Sequence, residues 1–195
     1  WGGCGGDLYA EVREDHDPEW GHATGRAGRD ELFRTHPQSP LPAGDPLRGT
    51  GLPYWPYDPS WRFTVALQPA DEDERGLDTG DDGSLTMRRV AAVGLPVGGS
   101  LDVWTMHQYA GGLFVPIKDG TAGSADQNGG SYGAGRYLLD TAKGAWLGGD
   151  DTSLVLDLNF AYHPSCRYAD RWRCPLAALG NTVEVRVEAG ERMPQ

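Results

Sequence analysis

Apolar and polar residues alternate with a period of two in several short runs, which is the mark of half-buried strands. From Trp61 to Gln68, Phe63, Val65 and Leu67 share one face. Thr86 to Val97 reads as a second strand, and Gly98-Gly99 follows as a hairpin turn. In the next run, Leu101, Val103, Thr105 and His107 face one way, and Trp104 and Met106 the other. A further Gly-Gly at 111–112 leads into Leu113 to Lys118, so three strands form a meander that short connections make antiparallel. Tyr132 to Asp140 and Leu154 to Phe160 read as strands, with Asp157 and Asn159 on one face of the latter. Thr182 to Glu188 alternates most cleanly, with Val183, Val185 and Val187 inward.

Helical signals are few. Residues 1–26 are Gly-rich and charged and read as a flexible arm with at most one helical turn near Leu8 to Arg13. His16 and His22 in that arm are expected to be solvated. Arg26 to Thr35 is a short helix that Pro37 stops. Residues 37–61 are too rich in proline for helix or interior strand. Tyr54, Trp55, Tyr57 and Trp61 need burial, so this stretch is expected to wrap the body and pin itself with aromatics. Ala70 to Ser84 is acidic and lacks the ligand spacing of a calcium loop, so it reads as a solvated insertion. Asp119 to Gly130 is a Gly-containing loop without a phosphate-loop pattern. The sum is a mainly β, single-domain antiparallel β-barrel or sandwich, with a short N-terminal helix and an extended Pro/aromatic wrap.

Composition narrows the function classes. The chain has 195 residues, enough for one domain with a real core, and its 29 glycines and 14 prolines fit many turns. A net charge of -11 leaves nothing to neutralise phosphates, so no nucleic acid is expected as a partner, nor an anionic lipid surface. No apolar run reaches the roughly 18 residues of a membrane span, so no membrane insertion is expected. Lys118 and Lys143 are the only lysines, a bias that suits a halophile or a GC-rich genome. No signal-peptide pattern is visible, which points to the cytoplasm; because the chain opens at Trp1, secretion stays open.

The densest chemistry lies in Leu154 to Cys174, which holds Asp157, Asn159, Tyr162, His163, Cys166, Cys174 and three arginines. Read as a structural unit, Cys166 and Cys174 bond or pack, Asp157 and Asn159 tie down the loop backbone, and Arg136 pairs with Asp157. Read as a ligand site in a small barrel, Tyr132, Arg136, Asp157, Asn159 and Tyr162 supply polar contacts to a small molecule. Read as a metal site, His163, Cys166 and Cys174 supply three ligands without the CxxC pairing of common zinc sites. Read as a thiol enzyme, Cys166 is the nucleophile and His163 the base. No cofactor follows from any of these. A further class is an accessory subunit that meets a protein partner through residues 1–26 and 37–61.

The segments GLPYWPYDPSWRF, LFVPIKDGTAG, SYGAGRYL, LDLNFAYHPSCRY, CPLAALGN and VEAGER occur in one order that resembles the bacterial and archaeal family DUF1684. The resemblance runs from about residue 28 to 192 and makes residues 27–192 one domain. It implies no reaction, since the family has none assigned. Relatives usually read GxETYGxGRYL, with glutamate two residues before the tyrosine. Gly130 holds that place here and the loop before it is longer, so an activity that used the glutamate would be lost unless Asp126 replaced it.

Overall fold

A computed structural model describes residues 2–78, 84–107, 112–127 and 129–194. Seven strands form one curled antiparallel sheet, a half-barrel: β1 (Arg62–Gln68), β2 (Glu74–Asp78), β3 (Ser84–Gly94), β4 (Ser100–Met106), β5 (Gly112–Ile117), β6 (Arg136–Asp140) and β7 (Ser153–Asp157). Their order is β6-β5-β4-β3-β1-β7, with β2 beside β3 off that path. At 11 residues, β3 is long enough to share one edge between two partners. Its first half pairs with β2 and its end, at Ala92 and Val93, with β1.

Two register irregularities help the sheet curl, since an extra residue on one strand bends it and increases its twist. One falls between Arg89 and Ala91, the other between Val115 and Pro116, where proline has no N–H to give. Curling brings the outer strands together. Tyr137 of β6 and Tyr162, just beyond β7, exchange backbone bonds of 2.8 and 3.0 Å.

Gly98 and Gly99 both have positive φ and make the β3–β4 turn, as their sequence suggests. The two faces expected for β4 are also present. Leu101 and Val103 enter the main core with Val65, Val93, Ile117 and Leu156, while Trp104 and Met106 join Leu85, Met87, Phe114 and Tyr137 on the other side.

Other expectations need correction. The acidic insertion contains β2, because an edge strand needs only backbone partners. The Tyr132 run becomes strand only at Arg136, after a turn closed by Gly135 N–H on Tyr132 O at 2.8 Å. The Leu154 run leaves the sheet at Asp157, and Leu158–Phe160 is a 3-10 turn that the Asp157 side chain caps. The last alternating run is not a ladder strand. It lies parallel to residues 118–120, with Lys118 N–H on Asn181 O at 2.8 Å and Gly120 N–H on Val185 O at 2.9 Å.

Residues 1–26 also depart from the expected flexible arm. They build α1 (Gly2–Glu14) and half of α2 (Pro18–Thr35). Asp17 caps α2 by accepting from Glu19 N and Trp20 N. Glycine is a poor helix former, but here it permits close packing. A Cβ at Gly5 would stand 2.4 Å from the Lys143 carbonyl, and one at Gly144, whose φ is +80°, 2.4 Å from Gly6 Cα. Helix α1 thus docks on the turn Thr141–Lys143. The Pro/aromatic wrap is present, interrupted by the single turn α3 (Leu47–Thr50). It runs beside the C-terminal segment, with Trp55 N–H on Gly190 O at 3.0 Å and Arg192 N–H on Pro53 O at 2.9 Å. Both segments offered above for a protein partner therefore pack on the chain's own body. No helix among the described residues is long and apolar enough to cross a membrane.

Candidate functional site

Arg136 is fully buried and both terminal nitrogens of its guanidinium are committed to structure, while its Nε, like those of Arg26 and Arg29, has no hydrogen-bond partner. It donates to the carbonyls of Val187 (2.9 Å), Ala189 and Glu191 (3.1 Å) and to Asp119 Oδ1 (3.0 Å). The expected Arg136–Asp157 pair is not formed. Asp119, in the loop after β5, takes the arginine, and its other oxygen accepts from Thr121 and from Val187 N at 2.8 Å. The unit staples the parallel C-terminal segment to the half-barrel.

Asp157 pairs with Arg62 at 3.1 Å. Its other oxygen accepts from the Asn159 side chain at 2.8 Å. Burial pushes the Asp157 carboxyl up, against the pull of Asn159 and Arg62. Asn159 in turn donates to Asp58 O at 2.8 Å and accepts from Asp58 N at 3.0 Å, which fastens the wrap. Asp157 and Asn159 thus hold backbone. Tyr162 is buried, and its hydroxyl reaches Asp140 Oδ2 at 3.3 Å. Of the five expected ligand contacts, Tyr162 lines the cleft described below, whereas Tyr132, Arg136, Asp157 and Asn159 do not.

Among the described residues, no group of three His, Cys, Asp or Glu is arranged to hold an ion, His163, Cys166 and Cys174 included. Both nitrogens of His163 are engaged. Nε2 accepts from Tyr132 N–H at 3.0 Å, which leaves the neutral ring's proton on Nδ1, 3.3 Å from Glu191 Oε1. Burial lowers the His163 pKa, with Glu191 opposing. Both ring nitrogens thus face protein partners, the Tyr132 backbone and Glu191.

Glu191 is the hub that sequence reading missed, although it sits in the VEAGER segment. It is 1% exposed. Oε2 accepts from Arg29 Nη2 and from His163 N–H, both at 2.9 Å, and Oε1 accepts from the Tyr168 hydroxyl. Burial alone would raise its pKa, but the Arg29 charge and His163 hold the carboxyl down at about 2. Burial works against the Arg29 charge in the same way, and Glu191 more than offsets it. Arg29 lies over the rings of Phe33 (4.5 Å) and Tyr162 (4.6 Å). The available sequence signal was a cation beside Leu32 and Phe33 on a helix, which alone names no site.

Around Arg29 lies a cleft with a volume of about 60 Å³, formed by α1, α2, the turn Thr141–Lys143 and the loop after Phe160. Leu8, Leu32, Phe33 and Tyr162 give it apolar walls, and Arg29, Lys143, His163 and Ser165 line it with polar groups. Lys143 Nζ is 3.2 Å from Asp140 Oδ2. The Arg29 Nε is buried without a hydrogen-bond partner.

Comparison with known proteins agrees with this architecture. The profile of the family described as "Protein of unknown function (DUF1684)" matches residues 49–192. That match starts later than the resemblance at about residue 28. An uncharacterised protein of Haloarcula marismortui, known from a solution NMR structure, is 32% identical, with a TM-score of 0.60. The alignment covers 88% of this chain and 91% of that one. No protein of curated function matches.

Proposed function

Because the chain belongs to DUF1684, a family of unknown function, we propose its role from its own cleft: it binds a small carboxylate against Arg29 and Lys143. The observation that carries the reading is Arg29. It is a cleft-lining cation with one side-chain partner, Glu191, and a buried Nε that has none. Arginine presents several donors in a fixed fork that suits carboxylate, and one pair leaves part of the fork unused. A single water needs about 10–15 Å³ of such space, so the cleft has room for a few waters or a compact anion. Leu8, Leu32 and Phe33 would receive a short hydrocarbon tail.

Isothermal titration with acetate, propionate, benzoate and inorganic phosphate tests this. Saturable binding of a carboxylate is expected, and Lys143→Gln should weaken it about tenfold, the worth of roughly one charge-assisted bond. Lys143 is partly exposed, so the variant should keep its fold. Absence of saturable binding by all four anions overturns the reading. Binding that Lys143→Gln leaves unchanged overturns the assignment to this cleft.

A further inference from the structure

Two cations line the cleft, and each already has a carboxylate. Arg29 pairs with Glu191 at 2.9 Å and Lys143 with Asp140 at 3.2 Å. His163 adds no charge while its Nε2 accepts from Tyr132 N–H. The two carboxylates are unequally filled. Glu191 is saturated: Oε2 accepts from Arg29 and from His163 N–H, and Oε1 meets His163 Nδ1 and the Tyr168 hydroxyl. Asp140, at the end of β6, is 1% exposed, and both of its side-chain contacts fall on one oxygen. Oδ2 meets Lys143 Nζ at 3.2 Å and accepts from the Tyr162 hydroxyl at 3.3 Å. Oδ1 is buried without a hydrogen-bond partner. A buried carboxylate oxygen is destabilising until a donor meets it. Lys143, Ala145 and Tyr162 belong to the cleft wall, and Asp140 touches all three, exchanging backbone bonds of 3.0 Å with Ala145. Oδ1 is therefore one carboxyl group's width from residues of that wall.

We propose that the ligand of the cleft is a small amino acid in its zwitterionic form, with its carboxylate on Arg29 and its ammonium on Asp140. The inference rests on the carboxylate reading above and adds a second, opposite charge to the ligand. A simple carboxylate brings one negative charge into a cleft whose two cations are already neutralised, and a buried charge without its own counter-charge is destabilising. A zwitterion brings no net charge. Its ammonium supplies the donor that Oδ1 lacks, and hydrogen bonds between ionised partners are the stronger kind. A hydroxy acid also offers a donor, but it keeps the unbalanced charge. The volume of about 60 Å³ favours the smallest members of the class, such as alanine, whose methyl group Leu8, Leu32 and Phe33 would receive.

Isothermal titration of the full chain near pH 7 compares alanine with propionate and lactate, which carry a hydrogen or a hydroxyl where alanine has its ammonium. Alanine should bind at least about tenfold more tightly than either, and propionate should compete with it. In Asp140→Asn, alanine should lose about tenfold in affinity, while propionate keeps its affinity or gains, because Lys143 is released to meet it. Propionate binding by that variant also reports that it is folded; if it does not fold, the three ligands on the parent chain decide alone. Propionate or lactate that binds as tightly as alanine overturns the amino-acid inference and leaves the carboxylate reading standing. So does alanine binding that propionate does not compete with, or that Asp140→Asn leaves unchanged. If none of the three binds, the carboxylate reading falls and this inference falls with it.

Discussion

Replacing Glu191 by glutamine keeps the shape of the hub and removes its charge. The amide oxygen can still accept from His163 N–H or Tyr168, but the amide nitrogen then confronts the donors of Arg29. A guanidinium that is 18% exposed in its side chain is left without its carboxylate. Breaking one partner of a buried pair costs roughly 3–5 kcal/mol. Linkage gives a second route to the magnitude. The Glu191 pKa falls from 4.5 to about 2 on folding, and at about 1.4 kcal/mol per unit this is roughly 3 kcal/mol. Because the folded pKa is the lower one, this stability is present above pH 4.5 and drains away as pH falls from 4.5 through 2. Urea unfolding at pH 7 should therefore show Glu191→Gln less stable by about 3 kcal/mol, and its Tm lower by about 6–12 °C for a chain of this size. The gap should narrow below pH 4.5 and nearly close near pH 2. A variant within about 1 kcal/mol of the parent at pH 7, or a gap that persists unchanged at pH 2.5, would refute the idea that charge pairing at Glu191 holds this region.

A second acid-sensitive group lies higher in pH. His22 Nε2 is 2.9 Å from Asn159 O, the ring packs on Phe160 and Tyr57, and burial lowers its pKa from 6.5 to about 4. Its contribution is full above pH 6.5 and is lost as pH falls toward 4, by about 3 kcal/mol in all. An NMR titration placing the His22 pKa at 6 or above would remove that dependence. For the docking of α1, Gly144→Ala should raise amide exchange across Gly2–Glu14 and leave β3 and β4 protected. Unchanged exchange in α1 would mean that the close approach of Gly6 to Gly144 does not hold the helix.

The parts of the fold legible in the sequence are those where one strand's own pattern decides the outcome. Leu101 and Val103 against Trp104 and Met106 is such a case, because a period of two assigns faces without knowledge of neighbours. The failures concern partners. Val183 and Val187 are buried as their alternation implies, but alternation cannot say that Val183 N–H meets Lys118 O while the Val187 backbone meets the side chains of Asp119 and Arg136. Glu74–Asp78 looks solvated because its side chains are charged, although Arg75 lies over the Trp104 ring at 4.9 Å and the backbone pairs with β3. Arg136 was recognisable as a buried cation, yet several carboxylates were available to it. Asp119 lies within reach because the β5–β6 register sets Arg136 opposite Ile117, two residues before that aspartate. Glu191 and Arg29 lie 162 residues apart, and their pairing becomes visible only once α2 is laid on the C-terminal segment.

The glycine at 130 can be argued further. A Cβ there would stand 1.9 Å from Ser124 O and 3.0 Å from Thr121 O, so this backbone admits no side chain of any kind. The space is taken by the loop itself, which folds back with Ser131 N–H on Thr121 O and Gly123 N–H on Ser131 O, both 2.9 Å. At position 130 the space beside the backbone is thus filled by the chain's own Thr121–Ser124 turn. Asp126 does not restore the acid, because it is 44% exposed in its side chain and pairs with Arg186 at 2.9 Å on the surface. Gly130 O instead accepts from Met193 N–H at 2.8 Å, two residues beyond Glu191. The loop thus helps fix the segment that carries the buried carboxylate. Glu191 is the acid that meets His163 and the cleft's arginine, and a chemistry that depended on glutamate at 130 would have no replacement within this loop.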